Sequence, residues 1–429
     1  MSGMGAARPF GFWTATALVV GGMIGAGIFV LPAQLAPFGA TGAVSWLFAV
    51  AGAVIIAWVF SQLFAARPEA TGAMDICAAG LGQFPAVLVA WSYWVSTWCA
   101  NAVLALTTVR YLSVLWPWLG SSTSVSVAGA LAVLWALTLF NLNGARAVGR
   151  LQVVTVVLKL LPLIAVLAIL VALAIVHPTR FSAYPHPSLD LGQLTPALGL
   201  VFFALVGFEC AGIAAERVRD PERNVPRATM VGVAATGLIY LTVSTGIAYA
   251  LPQHPLQESG APVALFVGEF WGGAAGAVIA AFAMISALGC LNGYVLVLGE
   301  VPLGMARAGL LPRWMGHTSR RDVPVGAIVL AGVLASILIL SNSTRSLSGL
   351  MTFMLNLAAA ATIWLYLGVC AAALVLKVTR VAAAIGLAFA AWTLLGCGWQ
   401  AVGWSVVLML TAIPLFFIAR RGAALQPAE

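Results

Sequence analysis

Two charged side chains stand alone inside long apolar stretches of this sequence: Glu209 in GLVFFALVGFECAGIAAERV and Lys159 in LQVVTVVLKLLP. A charge in such surroundings is expensive and is a functional candidate from the outset. Glu209 lies seven residues before Glu216, where a polar cluster starts. That is roughly 10 Å at 1.5 Å per helical residue, too far for its short stem. It is suited to attracting a cationic ligand, carrying a proton or acting as a gate; the alternative is a structural carboxyl held neutral by its neighbours. Lys159 lies nine residues after Arg150, roughly 13 Å along a helix, and its long stem leaves two readings open. Either the ammonium snorkels to the interface, or it faces backbone carbonyls freed by a helix break and does the work of a bound sodium ion. In the second case burial disfavours its charged form, which would also suit it to carrying a proton.

A polar stripe accompanies these charges. AWSYWVSTWCANAVL places Tyr93, Thr97 and Asn101 four residues apart, on one helical face, with Ser96 beside them. Such a stripe faces protein or water rather than lipid, either lining a site or bonding helix to helix. Phe202, Phe203, Phe208 and Tyr294 flank the same region, where aromatic faces could hold a cation or an aliphatic stem. The four histidines fall in loops without metal-ligand spacing or a Ser/His/Asp set, so neither a metal nor an organic cofactor is expected and an enzyme is disfavoured.

The elements that must position these residues are membrane helices. Of 429 residues, 62% are hydrophobic and 7% charged, against about 25% charged in soluble domains. Fifteen Trp and 44 Gly agree with that reading. Apolar segments long enough for a bilayer of roughly 30 Å run over 11–36, 42–66, 84–113, 124–142, 150–175, 195–216, 226–250, 270–300, 324–341, 347–376, 380–397 and 402–419. The first is expected to be an uncleaved helix. The net charge of +8 comes from basic residues in short loops, not from a nucleic-acid patch. Sixteen Lys and Arg fall on the side shared by the termini, against Arg110, Arg180 and Arg345 on the other, which predicts cytoplasmic N- and C-termini. The six cysteines show no pairing pattern and read as free thiols used as small hydrophobes.

Two spans are interrupted. The first carries four glycines from Gly21 to Gly27, and the sixth carries Gly207 and Gly212 around Glu209. A broken helix is tolerated in lipid only where its freed backbone groups line a cavity or bind something, although glycines also serve close helix packing. The sixth span follows the first by five, an odd offset, so a repeat would be inverted, the pattern of a secondary transporter with its site at the midplane.

These same residues carry a resemblance. GGMIGAGIFVLPAQLA, GFECAG and RDPERNVPRA resemble, in order and spacing over about residues 10 to 420, the amino acid–polyamine–organocation superfamily. Within it the bacterial arginine/agmatine and other basic amino acid/polyamine antiporters look nearest. The resemblance implies an all-α, 12-helix integral membrane fold of the LeuT-like kind, with 5+5 inverted helices, broken helices 1 and 6, and two further helices. The division would be a cytoplasmic N-terminus (1–10), a first repeat (11–176), a second (195–376), two helices (380–420) and a cytoplasmic tail (421–429).

It also implies a substrate carboxylate held by backbone at Ile24, Gly25, Ala26 and Gly27, Ala26 standing where the arginine antiporter has serine. Tyr93 matches a gating tyrosine, Asn101 a substrate-contacting asparagine, and Ser96 and Thr97 adjacent site positions. Phe203 and Tyr294 replace tryptophans, Asn356 replaces a serine, and Glu209 matches an acidic gate and proton-linked residue. Lys159 resembles instead the fifth-helix lysine of sodium-independent, proton-coupled members. The implied function is exchange of amino acids, cationic ones or their amines included, by alternating access in the inner membrane. Proton-coupled symport or export is the alternative. The expected partners are the small-molecule substrate, protons and the lipid bilayer, with no nucleic acid; a homodimer is compatible. A channel would need a continuous polar pore or charged ring, which the sequence lacks.

Overall fold

A chain this apolar must satisfy its backbone internally, which in lipid means helices or a closed barrel. A computed structural model describes residues 11–67, 70, 72–142, 158–208, 218–341 and 346–424, and no strand occurs among them. In chain order the α-helices are α1 (Phe12–Met23), α2 (Ala26–Leu35), α3 (Ala40–Ala66), α4 (Ala73–Leu81), α5 (Gln83–Leu115), α6 (Thr123–Asn141), α7 (Leu161–Val176), α8 (Leu194–Leu205) and α9 (Pro221–Ala250). They continue with α10 (Gln253–Glu258), α11 (Pro262–Trp271), α12 (Gly273–Arg307), α13 (Val325–Ser341), α14 (Leu347–Val375), α15 (Arg380–Gly396), α16 (Trp399–Leu410) and α17 (Ala412–Ala424). Each of the twelve apolar segments contains helix. By length and composition, seven spans among the described residues suffice to cross a membrane, and eight if the bent pair α1 and α2 is one span. The other apolar helices are shorter, so the structure supports a multi-pass helical membrane protein without itself fixing twelve crossings.

Local sequence sets the ends. Ser122 accepts a bond from the Val125 N–H at the start of α6, and Ser346 does the same for Gly349 in α14, each serving an orphan helix-terminal donor. The short helices α4, α10 and α11 lie in stretches that the hydropathy reading left between spans. That reading also began the eighth span at residue 270. Gly272, at φ +89, instead turns the chain between α11 and α12, so Glu269 and Trp271 belong to the shorter helix.

The bundle has an inside and an outside. In α5 and α14 most of the spanning window is buried, 78% and 72%, whereas in α6 and the α16–α17 span it is 28% and 22%. The outer helices present Trp399, Val381 and Ile175 outward, the surface lipid would cover. Inside, α5 packs on α12 and α14, α3 on α9, and α8 against α3 and α15. A very close approach joins α8 to α15: a Cβ on Gly199 would run into the Gly396 backbone, and one on Gly396 into the Thr195 carbonyl.

Gly199→Ala should therefore push α8 from α15 and lower stability by about 1–3 kcal/mol, the usual cost of overpacking. Gly304, with nothing near its would-be Cβ, should accept alanine silently. Melting temperatures of both variants in one detergent check this pair.

Candidate functional site

The first span breaks where its glycines fall. α1 ends at Met23, Ile24 turns extended at ψ 96, Gly25 sits at φ −130 and ψ −147, and α2 restarts at Ala26 with its axis bent by 49°. The carbonyls so freed are served by three other parts of the chain. The Lys159 ammonium, just before α7, donates to Gly21 O and, at 3.2 Å, to Ile24 O. Tyr240 Oη on α9 donates to Met23 O at 2.9 Å. Cys290 Sγ on α12 donates to Ile24 O at 3.1 Å. Lys159 is 2% exposed, so its stem does not carry the charge to the interface. Tyr240 and Cys290 carry no local sign of this task, because their partners lie 217 and 266 residues away.

The sixth span also breaks. α8 ends at Leu205, Val206 turns extended, and Gly207 takes φ +114, a region closed to most side chains. A Cβ there would sit 2.8 Å from Gly22 O, so the two breaks touch. Glu209, with Cys210 and Gly212, lies outside the described residues; the five described cysteines are free and buried.

A cavity opens beside the contact. Gly25, Ala26 and Gly27 form one wall; Tyr93, Ser96 and Thr97 of α5 another; Phe203 of α8 and Tyr294 of α12 complete it. Eight candidates from the sequence are thus brought together, while Ile24, Asn101 and Asn356 are not on this wall. The sequence reading missed Ala100 and Leu104, which continue the α5 stripe by helical period, and Ala358 and Thr362 of α14, which sit in an alanine run without any distinguishing signal. Phe202 and Phe208 belong to packing instead: Phe208 stacks on Tyr366 at 5.0 Å, and Phe202 meets Tyr366 and Phe389 edge-on.

The chemistry of the wall is specific. Ser96 and Thr97 spend their protons on carbonyls of their own helix, Tyr93 O and Trp94 O, both at 2.7 Å, so toward the cavity they can only accept. Asn101 is 1% exposed, with neither Nδ2 nor Oδ1 bonded, and Asn356 Oδ1 is likewise unbonded. Such orphans are rare in folded proteins and mark places where a ligand or water completes the set. The glycines divide by role. A Cβ on Gly27 would meet Ala204 Cβ at 2.6 Å, whereas one on Gly25 meets nothing closer than Cys290 Sγ at 3.7 Å. Gly27 is small for helix packing, and Gly25 leaves backbone open to the cavity.

About 30 Å³ of the cavity is open to the centre of a water molecule, room for a water or two. The site is closed down. Tyr93 also borders a hollow of about 270 Å³ lined by Phe60, Phe64, Asp75 and Glu300, at the end of α5 where Arg420 bonds Gln83.

A family model described as amino acid permease matches residues 10–428. The chain belongs to the amino acid permease family. It is thus a transporter of the amino acid–polyamine–organocation superfamily and not an enzyme. The permease is 28% identical over 359 residues to the cadaverine/lysine antiporter of Escherichia coli strain K12, covering 81% of this chain and 78% of that one. It is also 28% identical over 371 residues to the putrescine transporter PotE of the same strain, covering 85% and 83%.

Removing one donor from the break leaves a buried carbonyl unpaired, at about 1–3 kcal/mol. Tyr240→Phe should lower the melting temperature of the permease accordingly. Lys159→Ala, which takes the ammonium from Gly21 O and leaves Ile24 O with only the weaker Cys290 thiol, should cost more and shift the balance between inward- and outward-open forms. Wild-type transport should be unchanged when choline replaces sodium; a sodium requirement would show that the ammonium does not stand in for the ion.

Proposed function

We propose that the permease is a secondary active exchanger of amino acids and their decarboxylated amines, working by alternating access. The observation that carries this is the pairing, across one closed cavity, of an open backbone break with two aromatic rings. The first N–H groups of α2 have no intrahelical acceptor, and with the helix dipole they suit a carboxylate. Phe203 and Tyr294 offer faces for an aliphatic stem or a cation, and Tyr93, bordering both cavity and hollow, is placed to act as a gate. A lysine/cadaverine type of exchange fits this set, since it joins a carboxylate-bearing cation to one without the carboxylate.

In this reading the spans form two inverted sets, 11–176 and 195–376, followed by 380–420, with both termini in the cytoplasm of a bacterial inner membrane. Asn101 and Asn356 bond the substrate once the cavity widens, and Ile24 shapes the break. Glu209 acts as the acidic gate or proton-linked group. A second reading, proton-coupled symport, is supported by the place of Lys159, whose buried side chain bonds two carbonyls of the break.

Counterflow separates them. Proteoliposomes preloaded with lysine or cadaverine should take up labelled lysine far faster than empty ones; equal rates, with uptake driven by an acid exterior, would favour symport. Gly25→Val should weaken lysine binding at least about tenfold, or 1.4 kcal/mol, in a folded protein. Glu209→Gln should fold normally yet lose transport of cations or its pH dependence over about pH 5 to 8.

A further inference from the structure

At the far end of α5 from the chain termini lies a second hollow, of about 420 Å³, that takes no part in the closed cavity. Its inner wall holds Arg110, which is 7% exposed. No carboxylate pairs with Arg110 among the described residues, and its Nε, buried, has no acceptor. Burying a guanidinium without a partner is costly. The group borders open space.

The opposite wall is the start of α12. Gly273 and Gly276, in its first turn, line the hollow; the Gly276 N–H is bonded to Gly272 O, but the N–H groups before it, from Gly273 on, have no intrahelical acceptor and favour an anion. Glu269 of α11 stands at the rim, half exposed and 3.3 Å from Arg180. The rim thus carries an ion pair, while the floor carries a positive charge without a counter-ion among the described residues, which suits an α-amino acid with its carboxylate inward.

The hollow is also tied to the break. The next residue, Tyr111, donates to Phe29 O of α2 at 2.6 Å and accepts from the Val263 N–H of α11 at 3.4 Å. Leu104, on the closed cavity, lies six residues before Arg110 on α5, roughly 9 Å along its axis.

We propose that this hollow is an entry site for amino acids, in which Arg110 and the start of α12 hold the carboxylate while Glu269 faces the ammonium. Only the identity of the ligand rests on the exchange reading. The site would discriminate lysine from cadaverine before either reaches the closed cavity, because only lysine has the group Arg110 binds.

Ala277 lines the hollow on α12, and Ala277→Cys places a thiol there for labelling in the purified full-length permease. An anionic sulfonatoethyl thiosulfonate should label it faster than a cationic trimethylammonioethyl one. The preference should vanish when Arg110→Gln is added. L-lysine should slow labelling, whereas cadaverine and chloride should not. Equal rates, a preference that survives Arg110→Gln, or protection by cadaverine or chloride equal to that by lysine would overturn the site. In transport, Arg110→Gln should raise the KM for lysine several-fold, leave that for cadaverine unchanged, and be partly rescued by Arg110→Lys; equal shifts for both substrates would make Arg110 structural. A permease that moved neither substrate would sink the exchange reading while the labelling still decided this one.

Discussion

A peptide carbonyl without a donor costs several kcal/mol in hydrocarbon, and the break at Ile24 and Gly25 exposes carbonyls that α1 cannot serve itself. Lys159, Tyr240 and Cys290 serve them, from three separate parts of the chain. The centre of the permease depends on that arrangement. It ties down the end of α1, keeps Gly25, Ala26 and Gly27 at the cavity wall, and lies where the first break meets Gly207 of the second. The bonds run to main-chain atoms at the site itself, so any movement of the bundle that displaces α7, α9 or α12 also changes the break. That is the physical form coupling between the site and global shape would take here.

The spaces follow from the same construction. A closed cavity sits between two larger hollows at opposite ends of α5, with Tyr93 at one boundary. Packed interiors switch between discrete arrangements rather than deforming smoothly, and the central cavity, at about 30 Å³, is much the smallest of these three spaces.

Glycine carries three separate jobs within a few ångströms. Gly207 supplies a backbone angle denied to other residues, Gly27 lets Ala204 approach, and Gly25 leaves main chain uncovered. The hydroxyls show a similar division. Ser96 and Thr97 face the cavity, but their protons belong to α5, so toward the cavity these two hydroxyls act as acceptors only.

Sequence by itself determined the class of the protein and the places where it breaks. Hydropathy and charge count follow from residue type alone, and a glycine cluster in an apolar run announces a break without any partner in view. Helical period put Tyr93, Thr97 and Asn101 on one face with Ser96 beside them; the cavity wall takes Tyr93, Ser96 and Thr97, passes by Asn101, and continues through Ala100 and Leu104. Tertiary structure alone decided the rest. The donors of Tyr240 and Cys290 reach carbonyls more than 200 residues distant, and Ala358 and Thr362 look like any other small residues of α14. Gly25 and Gly27 differ only in what stands opposite them, and Arg110 reads as an ordinary loop-side charge until its burial and lack of a partner are seen. Which side chain meets which atom across a helix interface depends on how whole helices pack, and local sequence does not encode that packing.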